Sequence, residues 1–319
     1  MILTLTMNPA LDQTVELSSA LAPGQVQRAA ASRVQAAGKG VNVARAIAQA
    51  GQPVLAVLPG AAHDPLVRAL EADGLPHRII PIDQPLRTNI TITDPDGTTT
   101  KINEPGPALD APALEQVTEV LCGLGASARW VVLAGSLPPG VAPDFYARLC
   151  ATLRSRLADR APRIAVDTSG APLASLFAFD ANHLPDLIKP NAEELTELIA
   201  QDSALGFEQS PKEAARAAGY LVQRGVGTVL ATLGAQGAVL ATAEGCWLAR
   251  HAPVIPRSTV GAGDSALAGY LIAESTGSDP AGCLAHAVAY GSAAVALPGS
   301  TIPSPTHLTA DAVSVDGPF

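Results

Sequence analysis

The chain opens on a short apolar run, Ile2 to Thr6 (ILTLT), which predicts a buried strand, and Asn8 to Asp12 follow as a polar turn. Val15 to Gln35 does not read as helix, because Pro23-Gly24 breaks it and Val26 and Val34 sit in short extended pieces. Gly38 to Ala46 opens a helix that runs to about Ala50 and stops at Gly51. Val54 to Leu58 predicts a strand, Asp64 to Ala72 a helix, and Arg78 to Ile82 a further strand. Arg87 to Thr93 then alternates polar and apolar residues, Asp94-Pro95-Asp96-Gly97 is a turn, and Thr98 to Asn103 returns as a second arm. A ribbon of this kind is apolar on one face, so it must cover something or pair with another copy. With Val15 to Gln35 it predicts a small accessory sheet.

From about Ala111 the pattern becomes a steady alternation. Helices are predicted over Ala113 to Leu121, Asp144 to Arg156, Asn191 to Ile199 and Lys212 to Gln223. Between them lie strands at Trp130 to Leu133, Ile164 to Val166, Leu187-Ile188 and Thr228 to Ala231. Such alternation argues for a doubly wound, mostly parallel sheet flanked by helices. A hairpin follows at Ala238 to Ala241 and Cys246 to Ala249. Ala- and Gly-rich helices cover roughly Gly263 to Glu274 and Gly282 to Leu297, with a last short helix after Pro305. There is no internal repeat or low-complexity linker, so residues 1–319 read as a single domain carrying a β lid from about 12–36 and 87–104.

Composition narrows the function classes. Apolar content of 48% with 15% charged residues describes a well-buried globular chain rather than a disordered one. The formal charge is −9 and no Lys/Arg stripe is present, which argues against a nucleic-acid surface. An anionic ligand must therefore be held by a few local cations. The four cysteines are far apart without C-x-x-C spacing and read as free thiols in a reducing cytosol. No apolar run reaches spanning length and no secretion signal precedes Ile2, so the expectation is a cytoplasmic protein without a membrane partner.

Four stretches carry candidate chemistry. Ser258 to Ser265 leads from a Pro-rich segment into a helix through Gly261-Ala262-Gly263, and bare N–H groups at a helix start accept an anion. Asp264 is a carboxylate placed where that anion is welcome. It is either a helix cap or the base of a phosphoryl-transfer site. A G-x-G-x-x-A dinucleotide fingerprint over Gly261 to Ala266 is a weaker alternative, because the carboxylate would face the pyrophosphate. Gly38-Lys39-Gly40 precedes Asn42 at another helix start. It is no Walker A loop, since the earlier glycine is missing and Gly40 replaces the Ser/Thr. It offers N–H groups, an ammonium and a carboxamide to a phosphorylated or hydroxylated ligand, or else it is a helix turn with a solvated lysine. Asn8 and Asp12 lie beyond a strand's carboxyl end, where ligands of such sheets collect, although a turn cap explains Asp12 equally well. Arg87, at the ribbon's base, is either a bidentate phosphate ligand or a surface arginine.

Five motifs then line up in order: Gly38-Lys39-Gly40-Val41-Asn42-Val43-Ala44, Gly135-Ser136-Leu137-Pro138, Lys189-Pro190-Asn191-Ala192-Glu193-Glu194-Leu195, Thr232 to Gly237, and Thr259 to Ser265. Together they resemble the PfkB (ribokinase-like) carbohydrate kinases over Leu3 to about Leu297. The opening Thr-Met-Asn-Pro-Ala-Leu-Asp and the Arg87-Thr88-Asn89 triplet resemble that family's phosphosugar branch. The resemblance implies a ribokinase-like α/β fold and transfer of phosphate from ATP, with Mg²⁺, to a phosphorylated ketohexose. The form Ala37-Gly38-Lys39-Gly40 leans towards D-fructose 1-phosphate, giving fructose 1,6-bisphosphate, with fructose 6-phosphate or tagatose 6-phosphate as the alternatives. A non-catalytic phosphosugar sensor on the same fold is the alternative of another class. The resemblance also implies roles. Asp264 would be the base, and the N–H groups of Ala262, Gly263 and Asp264 after Gly261 would form the anion hole. Asp12, Gly38 and Asn42 would hold sugar hydroxyls, and Lys39 and Arg87 the existing phosphate, with Asn89, Asn103 and Ser136 as further substrate contacts. Lys189, Asn191, Thr232, Gly234 and Gly237 would line the ATP site, and Glu194 with Asn191 would organise Mg²⁺, through water. The exposed ribbon implies a homodimer that pairs through the lid.

Overall fold

Ile2–Thr6 (β1) is buried along its whole length, and everything else is layered around it. The computed structural model describes residues 1–180, 183–199, 206–309 and 312–319. After β1 the chain forms Ala10–Leu17 (β2), Ala29–Ala37 (β3), Lys39–Gln49 (α1), Val54–Gly60 (β4), Pro65–Ala72 (α2) and His77–Pro81 (β5). Arg87–Thr93 (β6), Thr99–Asn103 (β7), Ala111–Gly125 (α3), Trp130–Ala134 (β8), Phe145–Leu157 (α4), Arg163–Asp167 (β9) and Gly170–Ser175 (α5) come next. They are followed by Leu187–Ile188 (β10), Ala192–Ile199 (α6), Pro211–Gln223 (α7), Thr228–Thr232 (β11), Ala238–Thr242 (β12) and Gly245–His251 (β13). Ala262–Ser275 (α8), Pro280–Ala296 (α9) and Val313–Asp316 (β14) complete the described elements.

Ten strands make one sheet in the order β14-β13-β12-β11-β10-β9-β8-β1-β4-β5. From β11 through to β5 all neighbours are parallel, while β12, β13 and β14 extend the edge antiparallel. Alternate side chains of one strand feed two cores. Leu3, Leu5, Val131, Leu133, Ile164 and Val166 pack with α3, α4 and α7, whereas Ile2, Trp130, Val132, Ala134 and Ala165 pack with α1, α2, α8 and α9. Burying each such side chain contributes about 1.5–3 kcal/mol against leaving it in water. Helices on both faces are what a parallel sheet requires. Strand order reverses between β1 and β8, which opens a crevice at their carboxyl ends.

The small sheet has the order β3-β2-β6-β7, with β2 and β6 parallel. Its register sets Asp12 opposite Gln35 and Asn89, and Asn89 opposite Asn103, in one polar row. The next row, Val34, Gln13, Ile90 and Ile102, lies on the other face, as period-2 alternation demands.

Three expectations need correction. Asn8 to Asp12 is not a turn throughout: Ala10 already pairs with Ala37 and Arg87, and strand partners on both sides override the local turn chemistry. The segment after Pro305 closes as a single 3₁₀ turn, Pro305–His307, tied by reciprocal contacts of Ser304 and His307. α5 and β14 were not anticipated. The first has six residues and too little periodicity, and the second is a four-residue strand recruited by the free edge of β13. The four cysteines are free thiols, and no helix among the described residues is long and apolar enough to cross a membrane.

Candidate active site

The crevice between β1 and β8 gathers side chains from distant parts of the chain. α1 starts just beyond β1 and must approach it closely. A Cβ on Gly40 would stand 2.8 Å from the Leu5 carbonyl oxygen, so this glycine is needed for packing as well as for exposing an N–H. The approach aims the first turn of α1 at the start of α8, where Asn42 Nδ2 donates to Asp264 Oδ2 at 2.8 Å. Asp264 is only 8% exposed.

Gly261 caps α8 in the left-handed conformation (φ 75°), which a side chain would strain. The helix therefore begins with its first-turn N–H groups directed past the glycines. Ala262 N–H reaches the Thr259 carbonyl at 3.4 Å, and the N–H groups of Gly263 and Asp264 are first-turn donors without a place in the helical ladder. Lys189, buried just after β10, lies against this start: a Cβ on Gly263 would sit 3.1 Å from its Nζ. Donors, the helix dipole and an ammonium converge on one point, and a carboxylate borders it.

Behind that point is a residue that sequence reasoning missed. Asp167, at the last position of β9, is 0% exposed, and its Oδ1 accepts from Lys39 Nζ at 2.7 Å and lies 3.4 Å from Lys189 Nζ. A carboxylate ending a buried parallel strand was the available signal, because that is the edge where ligands bind. Burial alone would raise the Asp167 pKa, but the Lys189 and Lys39 charges outweigh it and hold the group below the usual carboxylate range. Burial likewise opposes the charge of Lys39, and Asp167 and Asp264 outweigh that effect and raise the lysine. Asp264 moves the other way. Burial, reinforced by the Asp167 charge, pushes it up to about 6 against the pull of Lys39, Asn42 and Lys189.

The small sheet brings a second group to the same crevice. Arg87 donates to the Asn8 carbonyl at 2.9 Å and the Glu104 carbonyl at 3.2 Å. Burial lowers its pKa, against the opposing Asp12 charge. Asn89 Nδ2 donates to Asp12 Oδ1 at 3.0 Å, and burial raises the Asp12 pKa despite that bond and Arg87. Asn8, at the end of β1, donates to the Pro105 carbonyl at 3.0 Å and reaches Ser136 Oγ at 3.4 Å, bridging the two sheets. Several buried acceptors here have no partner among the described residues, namely Asn8 Oδ1, Asn42 Oδ1, Asn89 Oδ1 and Asp167 Oδ2. Unmatched buried polar atoms clustered at one crevice point to a polar ligand.

The remaining candidates divide. Thr232 bridges to Asn191, and its N–H donates to the Pro190 carbonyl, so those residues are neighbours. Asn191 and Glu194 form a reciprocal capping box at the start of α6, each side chain accepting the other's N–H at 2.8 Å. Glu194 acts on Lys39 through its charge. Gly234 and Gly237 flank a tight 3₁₀ turn, and Gly237 packs on the Ala249 carbonyl of β13. Asn103 extends the Asp12–Asn89 row at its exposed end. Among the described residues no cluster of three or more His, Cys, Asp or Glu can hold a metal by itself. A single carboxylate with a carboxamide still fits Mg²⁺, which takes few protein ligands when phosphate oxygens and water complete its shell.

Comparison with known proteins finds relatives over nearly the whole chain. The model of the pfkB family of carbohydrate kinases matches residues 5–307. The chain is 38% identical over 318 residues to a 1-phosphofructokinase of Rhodobacter capsulatus, covering 98% of this chain and 96% of that one. It is 36% identical over 285 residues to an ATP-dependent 6-phosphofructokinase isozyme 2 of Mycobacterium tuberculosis, covering 86% of this chain and 78% of the relative. Among solved structures, phosphofructokinase-2 of Escherichia coli in complex with potassium superimposes with a TM-score of 0.86 at 30% identity, covering 96% of both chains.

Proposed function

The chain belongs to the pfkB family of carbohydrate kinases, and from that premise we propose that it transfers the γ-phosphoryl group of ATP to D-fructose 1-phosphate, forming fructose 1,6-bisphosphate. The observation that carries the transfer is the pairing of a buried, raised carboxylate, Asp264, with open helix-start donors and two lysines. A base with a pKa near 6 is ionised at neutral pH yet basic enough to take a hydroxyl proton as the bond to phosphorus forms. In the reaction the sugar hydroxyl oxygen attacks the γ-phosphorus, its proton passes to Asp264, and the bond to the ADP oxygen breaks. The N–H groups of Gly263 and Asp264, joined by that of Ala262 as it gives up its long bond to the Thr259 carbonyl, take the charge on the equatorial oxygens, assisted by Lys189.

Acceptor recognition is assigned to the crevice and the lid sheet. Asp12, Gly38, Asn42 and the Asn89–Asn103 row take sugar hydroxyls, with Ser136 beside them. Arg87 and Lys39 take the phosphate already on the sugar, a dianion that a chain of charge −9 must hold with local cations. Thr232, Gly234 and Gly237 line the nucleotide side, where Asn191 and Glu194 would hold Mg²⁺ through water. The ion would neutralise charge on the ATP phosphates. Restraining the reactants side by side contributes much of the acceleration in such chemistry.

The choice of fructose 1-phosphate is supported by relatives called 1-phosphofructokinase at 38% and 34% identity. The relative at 36%, called a 6-phosphofructokinase isozyme, supports fructose 6-phosphate as the second reading. Measuring kcat/KM for fructose 1-phosphate, fructose 6-phosphate and tagatose 6-phosphate with Mg-ATP decides it. A clear preference for either 6-phosphate overturns the substrate proposed here.

A further inference from the structure

Four buried or half-buried charges meet at the start of α8: Asp264 and Asp167, Lys39 and Lys189. The family motifs account for three of them, and Asp167 lies outside every motif. Its backbone is fixed from two sides. The Asp167 carbonyl accepts from Gly135 N–H at 2.9 Å, and the preceding Val166 carbonyl accepts from Lys189 N–H at 3.2 Å. Gly135 is held in turn, its carbonyl accepting from Thr168 Oγ1 at 3.0 Å and Tyr146 Oη at 3.1 Å. The carboxylate is thus presented from a rigid strand end to two flexible lysine side chains.

Resting on the kinase reading above, we propose that Asp167 is a positioning residue: one buried carboxylate oxygen gathers the ammonium groups of Lys39 and Lys189 on either side of the phosphoryl path and offsets their charge at Asp264. Two ammonium groups this close repel, and a buried lysine without a counter-ion is costly. Asp167 removes both problems through Oδ1 alone. Lys189, at 4% side-chain exposure, is held against the anion hole, whereas Lys39, at 36%, keeps its outer side open to the acceptor's phosphate.

The same carboxylate sets the electrostatic balance of the base. With Asp167 the cluster is neutral when Asp264 is ionised. Without it two lysines face a single carboxylate, which stabilises the ionised form and weakens the base. The charged groups acting on Asp264 are Asp167 at the end of β9, Lys39 on α1 and Lys189 after β10. Asp12 and Arg87 face the crevice from the small sheet, Glu194 acts on Lys39 from α6, and His286 and Tyr290 of α9 pack along α8 at Gly269.

The test is Asp167→Asn in the full chain, with kcat, KM and the acid limb of kcat/KM measured beside wild type on the same sugar phosphate, so that the substrate's own titration cancels. The expected result is a loss of kcat/KM of tenfold or more together with an acid-limb midpoint moved about one pH unit to lower pH. A purely structural Asp167 would lower Tm while leaving kcat/KM and the midpoint of the folded enzyme at wild-type values, and that result overturns the proposal. Asp167→Glu keeps the charge and displaces the oxygen, so it should lower kcat/KM while the midpoint stays. If the Asn variant does not fold, Asp167→Glu decides alone, and unchanged kcat/KM overturns the proposal. Wild-type protein inactive on every phosphosugar would overturn the kinase reading as well. Active wild type with an unaffected Asn variant overturns this inference only.

Discussion

Replacing Asp264 by Asn separates its chemical role from its structural one, because the two should move in opposite directions. The side chain keeps its shape, and the new carboxamide oxygen can still accept from Asn42 Nδ2. What disappears is the proton acceptor, so kcat should fall by roughly 10²–10⁴-fold. Stability should rise. The Asp264 pKa is raised from 3.8 to about 6 in the folded chain. Between those values the folded state holds a proton that the unfolded state has released, so stability falls as pH rises through the window. Well above it the buried charge costs about 3 kcal/mol, and below pH 3.8 it costs nothing. Asp264→Asn should therefore melt a few degrees higher than wild type at pH 8, with the difference vanishing near pH 4. Thermal melts at the two pH values, with a coupled ADP-release assay, provide both readings. Turnover within tenfold of wild type would remove Asp264 from the role of base, and a melting difference equal at pH 4 and pH 8 would refute the linkage.

Lys39→Met removes a cation that lowers the Asp264 pKa, so the acid limb of kcat/KM should move above pH 6, and KM for the sugar phosphate should rise at least tenfold; an unshifted limb would dissociate the two residues. Gly237→Ala puts a Cβ into the Ala249 carbonyl at a φ of 92°, and should cost about 1–3 kcal/mol from backbone strain alone, read as a lower urea midpoint at unchanged m. The row ending in Ile102, apolar except for Gln13 and 53% exposed at Ile102, is proposed as the surface through which two lids pair. Light scattering should report a dimer that Ile102→Asp dissociates, and a monomeric wild type would contradict the pairing.

Most of the layered fold was legible because its information is periodic and local. Ile2 to Thr6, Trp130 to Leu133 and Ile164 to Val166 are short apolar runs of strand length, and of the helices between them α2 and α3 carry side-chain caps at Asp64 and Asp110. β2 was harder, because Asn8-Pro9 and Asp12 are turn residues and the pairs that make Ala10–Leu17 a strand lie on β3 and β6. The site shows the same division more sharply. Asn191 and Glu194 stand three residues apart, a spacing that serves a capping box and a water-mediated metal contact alike, and the structure displays the first without excluding the second. Asp167 carries no local signal beyond its place at a strand end. Its meaning comes from Lys39, 128 residues earlier, and from Lys189 just after the neighbouring strand. The glycine turn before Asp264 is intermediate. Its backbone donors follow from Gly261 and Gly263, but a carboxylate there caps as readily as it catalyses. On the proposed reading, what sets the base apart from a cap is burial and the partner 222 residues away, Asn42, which occupies one oxygen. Spacing along a chain therefore locates a donor, while the strength of an acid is set by which distant charges the fold brings within reach of it.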